Sequence, residues 1–466
     1  MRTSTRQLAA QAGHGLGATL LVSALSAWFG SSLLVATSVL TTVINASDLG
    51  GSSAVQFMLV VVAWIFVVVA LYVGAVVTAN TFATVMAGRV KTIALLRLLG
   101  TTGAVLRRRA ALEGLLAGVV GSAIGVALGI GLIAAALPIL VAARALPDLP
   151  YTVIQLGVFL PAAAVILTTW GAAWVGAQRV TSVSPLAALG STVEARPERA
   201  ARHPVKAVLG VLLILGGLIV MGLSVPLGLH TPTALAPAFL GGLATFTGIL
   251  VGANLFVRAA LWLAGLPLRR GAIGRMSTAT VARHPERSIR STTGLVIGLT
   301  LIVTLAVAAA TFADAVPSNG PSVAGGIDAV GVTVGILGAI VGFSTIISSV
   351  GLVNNIALGV AQRQREIGLM RALGLTAAQV RRLILLESLQ ITGAAVGLSM
   401  VSGLLFGWVG AQSFLGVVTM HLVPPTVPWV FLAIVIAASV LLALLATAGP
   451  TRATARTTPI EALRVA

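Results

Sequence analysis

The 466-residue chain is predicted to be an all-α integral membrane protein of about ten transmembrane helices. Three observations carry that class. Hydrophobic residues make up 58% of the sequence and charged residues only 9%, too few for the surface of a soluble domain of this length. Apolar runs of about 20 residues, the length needed to cross a bilayer, recur along the whole chain. One stretch also occurs twice without a gap. Arg97 and Arg371 lie 274 residues apart (371 − 97 = 274), as do Gly100 and Gly374, and Glu113 and Glu387.

Taken in order, the first unit, 1–190, holds expected spans at 15–40, 55–79, 112–140 and 152–176. Arg2 and Arg6 ahead of the first run imitate a signal peptide, but the run extends to Leu40, too long for a cleaved segment. A polar, proline-bearing linker at 191–204 opens a middle region, 191–275, with two extra spans at 206–226 and 235–257. The second unit, 276–466, holds spans at 293–312, 329–353, 383–411 and 428–449. Four spans and then two return the chain to the same side, so the two four-helix repeats are parallel rather than inverted. Pro185–Leu189 and Pro459–Leu463 preserve the same register near the ends of the repeats.

The net charge of +18 has to be judged by its placement. With the amino terminus inside, the inner segments are 1–14, 80–111, 177–205, 258–292, 354–382 and 450–466. Every Lys and Arg lies in or beside them except Arg144 and Lys206, and Lys206 sits at the mouth of its span. Asp48, Asp148, Asp314 and Asp328 fall outside. This is the positive-inside pattern, with both termini cytoplasmic in a bacterial cytoplasmic membrane. The basic clusters therefore face anionic lipid. No aromatic residues are expected to interleave with them, which excludes a nucleic-acid partner. The chain has no cysteine, and its five histidines have no ligand spacing, so neither a metal nor a catalytic centre is expected.

The duplicated stretch runs from Asn80 to Glu113 and from Asn354 to Glu387. Ile356, Val360, Ile367 and Met370 recur at helical spacing, as do Phe82, Met86, Ile93 and Leu96. Arg363, Arg365, Glu366 and Arg371 charge the surface of the second copy; Arg89, Lys91 and Arg97 charge the first. Gly100 and Gly374 are placed to end each helix in a left-handed conformation. Thr376 with Gln379 predicts a capping box on the next helix. Thr102 predicts a cap without the reciprocal bond, since Val105 replaces the glutamine. Each copy is thus a surface helix of about twenty residues, ~30 Å long, followed by a sharp turn into the bilayer. A plain membrane-surface helix is the simpler alternative. Identical placement in two repeats, and Glu366 among arginines, favour docking of a symmetric cytosolic protein. One turn inside the bilayer, Glu113 and Glu387 can snorkel or pair with Arg107, Arg108, Arg381 or Arg382 as an inner-face latch.

Small residues recur at four-residue spacing at Gly114, Gly118, Gly121, Gly125 and Gly129, matched by Ser388, Thr392, Ala395, Ser399 and Gly403. Gly331, Gly335, Gly338 and Gly342 form a further stripe. Such stripes predict close helix packing. Asn354, Asn355, Ser344, Thr345, Ser348 and Ser349 form a polar patch expected to bond between helices.

Arg365-Glu-Ile-Gly-Leu-Met-Arg-Ala-Leu-Gly374 resembles the coupling motif of FtsX/MacB-type ABC transporter permeases. The elbow Ala282–Gly294, Glu387 and the C-terminal Arg456–Arg464 are similar to the same family. The first repeat departs from it, with Thr92 where the second has Glu366. The resemblance implies a permease driven by a separate ABC-type ATPase, two copies per permease, whose closure moves the coupling helices. ATP and Mg belong to that partner, because this chain has no Gly-x-x-x-x-Gly-Lys-[Ser/Thr] loop and is not expected to be an enzyme. The span count is similar to the ten-span branch linked to antimicrobial-peptide resistance. The large extracytoplasmic domain common in the family has no counterpart here, which favours a lipophilic or amphiphilic substrate (lipid, peptide or drug) exported or extracted along the membrane. Two other readings remain. A mechanotransmitting permease would act on an extracytoplasmic or lipoprotein subunit. A secondary transporter would need mid-membrane ionisable residues, and none is present.

Overall fold

The computed structural model describes residues 2–46, 90–181, 204–315 and 370–456 apart from 99, 145, 284 and 372. It also describes scattered helical residues between 60 and 80, and 322–323 and 327–328. The described helices are α1 (Arg2–Asn45), α2 (Val90–Leu98), α3 (Gly103–Ala142), α4 (Leu160–Thr181), α5 (Pro204–Gly228), α6 (Leu235–Val251), α7 (Ala253–Gly265), α8 (Gly271–Arg283), α9 (Pro285–Ala315), α10 (Ala377–Thr419) and α11 (Trp429–Arg456). A two-residue antiparallel ladder pairs Ser322 with Asp328 and Val323 with Ile327.

Six described helical stretches are long and apolar enough to cross a membrane: Thr19–Asn45, Gly103–Ala142, Leu156–Gln178, Val205–Gly228, Ser288–Ala315 and Ala377–Gly416. A seventh is counted if α6 and α7 form one bent span, and Trp429–Leu445 is apolar but shorter. The expected span 329–353, the stripe Gly331–Gly342 and the polar patch 344–355 lie outside the described residues, as does part of 55–79.

The helices form two compact units, one holding α1–α4 and the other α5–α11. In the first, α1 and α3 run parallel and touch through backbone. A methyl group on Gly121 would stand 2.7 Å from Ser23 Cβ and 2.8 Å from the Leu20 carbonyl oxygen. Gly118, one turn earlier, presses against Ile166 of α4, where an added Cβ would lie 3.2 Å from Cα. Ser23 and Thr169 hydroxyls meet at 3.4 Å between α1 and α4. Lipid tails are as apolar as leucine, so close packing and hydrogen bonds, more than burial from water, hold these helices together.

In the second unit α9 and α10 repeat the parallel contact. A methyl on Gly403 would lie 2.6 Å from Val303 Cβ, and one on Gly407 2.6 Å from the Thr304 carbonyl oxygen. Thr300 bonds the hydroxyls of Ser399 and Ser402, each at 3.2 Å. The small-residue stripes are thus helix contacts in both units. The extra helices α5 and α6 form an antiparallel pair in which Gly210 lies against Gly252 and Gly217 against Gly241. The end of α5 then reaches α10, with Ser224 and Ser413 hydroxyls 3.4 Å apart.

The expected span 235–257 is not one straight helix. It breaks at Gly252, and α7 leaves α6 at 76°. An added Cβ on Gly252 would meet the Phe256 ring at 2.9 Å. Hydropathy registers only that the apolar run continues, so the bend was invisible to it. One face of α7 joins α8, α9 and α10 in a cluster of Ala253, Val257, Leu261, Val281, Ile289 and Ala394.

Candidate coupling site

The two copies of the motif fold into the same turn. Gly100 has φ +93° and Gly374 φ +99°, the left-handed region that glycine enters without a Cβ clash. Gly100 N–H bonds the Arg97 carbonyl at 3.0 Å, and Gly374 N–H bonds the Arg371 carbonyl at 3.1 Å. Two residues later a threonine in extended conformation caps the next helix. Thr376 forms the full capping box: its hydroxyl accepts from Gln379 N–H at 3.3 Å, and its own N–H donates to Gln379 Oε1 at 2.9 Å. Thr102 accepts only from Val105 N–H, at 3.5 Å. Both features follow from local sequence, because turn and cap are built within six residues of each other.

Before the turn, α2 carries Lys91 and Arg97 and packs on α4, burying Ala94. Arg97 and Arg371 are both half-buried one turn before their glycines. Arg89, Arg363, Arg365 and Glu366 lie outside the described residues, and so does most of the expected twenty-residue helix. After the turn, Arg107 is half-buried, whereas Arg108, Arg381 and Arg382 are exposed. Glu387 is buried at 7% exposure and Glu113 is half-buried. Helices α3 and α10 run unbroken through these positions, and residues five or six apart do not share a helix face. Arg97, Arg371, Glu113 and Glu387 each take part in a polar interaction.

Two functional-looking residues escaped the sequence reading. Gln390, buried on α10, donates from Nε2 to the Leu261 carbonyl of α7 at 2.9 Å. Gln412, also fully buried, accepts from Val423 N–H at 2.7 Å and donates to the His421 carbonyl at 3.3 Å, while Trp408 Nε1 donates to the Val423 carbonyl at 2.9 Å. Together with Thr426, which donates to Asp314 at 2.9 Å, they strap the 420–426 loop onto α9 and α10. The repeat alignment held the signal: Gln390 aligns with Leu116 and Gln412 with Pro138.

The duplication also appears in comparison with known families. A family model described as FtsX-like permease C-terminal matches residues 64–185 and, separately, 338–459. The chain belongs to the FtsX-like permease family. The two matched segments are of equal length and start 274 residues apart (338 − 64 = 274), the offset that relates Gly100 to Gly374. A protein of Bacillus subtilis (strain 168) named Uncharacterized ABC transporter permease YknZ is 30% identical over 131 residues. That similarity covers 28% of this permease and 31% of the relative, so the chain spans about a third of the relative's length. This permease is therefore a multi-pass helical membrane protein of the FtsX type.

Proposed function

We propose that this permease is the membrane subunit of an ATP-driven transporter. A separate ABC-type ATPase dimer, holding ATP and Mg, docks on the helices that precede Gly100 and Gly374. Its movement exports or extracts a lipophilic or amphiphilic substrate from the bacterial cytoplasmic membrane. The observation that carries this reading is the duplicated turn and cap. Each left-handed glycine is followed within six residues by a threonine cap that opens a long apolar helix, and in the first copy that turn joins α2 to α3. Displacement of the first is thereby passed to the second. Arg89, Lys91, Arg97, Arg363, Arg365, Glu366 and Arg371 supply the docking charges, and Glu113 and Glu387 serve as an inner-face latch. The 1–190, 191–275 and 276–466 divisions are then two coupled repeats and a linking pair of spans.

Mechanical signalling to an extracytoplasmic subunit is the second reading. The strap around Gln412 favours it, because it holds Met420 in a left-handed conformation and leaves Met420 and Leu422 exposed. Recovery of the tagged permease in mild detergent with mass spectrometry tests the first reading. An ATPase at about two copies per permease is expected. The Glu366→Ala, Arg371→Ala double variant should keep the permease folded and lose stimulation of the ATPase. Wild-type stimulation in that variant would remove the docking assignment.

A further inference from the structure

The segment from α7 through α8 belongs to neither the coupling motif nor the strap, and its surface is unusual. Between Ala253 and Arg283 it carries five arginines and no acidic residue. Trp262 lies among these arginines, against the expectation that no aromatic residue interleaves with the basic clusters. The structure brings Arg269 over its ring, with Cζ 6.0 Å from the centroid. The contact arises because a short 3-10 turn, Pro267–Arg269, folds the chain back after α7. Gly271 at φ +79° then starts α8, fixing where Arg269 and Arg270 stand.

We propose that this segment is a binding site for an anionic phospholipid at the membrane–water interface. Helix α6 has 17 residues and spans ~25 Å, close to the thickness of the hydrocarbon core. The chain turns by 76° where it ends, and the proposal places α7 along the bilayer surface instead of through it. One side of α7 is buried on α9 and α10 through Val257 and Leu261. The opposite side exposes Leu255, Trp262, Leu263 and Leu266. Exposed apolar side chains on a helix at this depth meet acyl chains, and tryptophan prefers this boundary. Arg258, Arg269, Arg270 and Arg275 are all exposed, and their aliphatic stems let the guanidinium groups reach headgroup phosphates. An acidic protein surface would satisfy the arginines but would leave the leucines and Trp262 unmatched. A phospholipid with net negative charge satisfies both. The site stands independently of the ATPase, since none of its residues belongs to the proposed docking surface.

The test uses the full chain in nanodiscs of phosphatidylcholine containing a minority of phosphatidylglycerol, with lipid retention counted by native mass spectrometry. Wild-type protein should retain phosphatidylglycerol in preference to phosphatidylcholine. The variant R269Q/R270Q/R275Q should lose that preference by about fivefold per arginine removed. Lys206→Gln, an exposed cation of the same unit outside the segment, should retain it. Unchanged retention in the triple variant overturns the proposal, as does an equal loss in Lys206→Gln, which would mark a general charge effect. Unchanged lipid retention with loss of a co-purifying protein would also overturn it and make the segment a protein dock. If the triple variant does not fold, Arg270→Gln alone carries the same comparison with about a fivefold loss expected.

Discussion

Helices α3 and α10 begin alike and end up in different surroundings. Both follow a left-handed glycine and a threonine cap, both place a glutamate eleven residues after the cap, and both lie parallel to a neighbour, α1 or α9. Past that point several exposed positions diverge. Leu116, Leu128 and Ile139 of α3 are 64%, 52% and 68% exposed, and their counterparts Gln390, Ser402 and Ser413 of α10 are buried. Each polar replacement has found a partner on a different helix: the Leu261 carbonyl on α7, Thr300 on α9, Ser224 on α5. A polar side chain facing lipid is costly, so such residues accumulate only where another helix covers them. The duplication kept the local code of the turn, and the second copy carries polar residues at positions that α3 leaves apolar and exposed.

The close glycine contacts allow the strongest challenge to this comparison. Gly121→Leu in the first unit and Gly403→Leu in the second should each destabilise by about 3 kcal/mol, because added bulk meets neighbouring backbone or a branched side chain. Thermal unfolding in micelles measures both. A neutral Gly121→Leu would mean that α1 and α3 are not in backbone contact. The divergent positions give the next test. Leu116→Gln should cost about 2 kcal/mol by placing an unpaired amide in lipid, and Gln390→Leu about 1 kcal/mol by removing one hydrogen bond and freeing the Leu261 carbonyl. Comparable tolerance at both positions would show that the face of α3 is covered after all. The caps give the smallest effect. Thr376→Ala should lose about 1 kcal/mol and Thr102→Ala about half of that, since only Thr376 has the reciprocal bond. Hydrogen exchange at the first-turn amides Gln379 and Val105 reports the difference directly.

These contrasts also show where sequence was sufficient. The left-handed Gly100 and Gly374 and the capping box at Thr376 were legible because their partners lie within a few residues. The apolar runs that became α3, α5, α9 and α10 were legible because length and hydropathy alone decide them. The break at Gly252 was not, since apolar side chains continue across it and only the packing of Gly210 and Phe256 marks the site. Gln390 was overlooked for a related reason. A lone glutamine in a long apolar helix carries no motif, and its meaning appears only beside Leu116 in the other repeat. Trp262 was passed over because Arg269 is seven residues away, and a chain reversal brings them together.

The bend at Gly252 has a mechanical consequence. With α7 seated among the headgroups as proposed, unit two would carry a waterline, a level at which the protein is fixed relative to the membrane surface. Gln390 ties that level to α10 through the Leu261 carbonyl. In that placement, a stroke of α10 along its own axis would push α7 into the hydrocarbon or lift it out, against the elasticity of the bilayer. Membrane thickness would thereby load the proposed stroke, heavier or lighter with the length of the surrounding acyl chains.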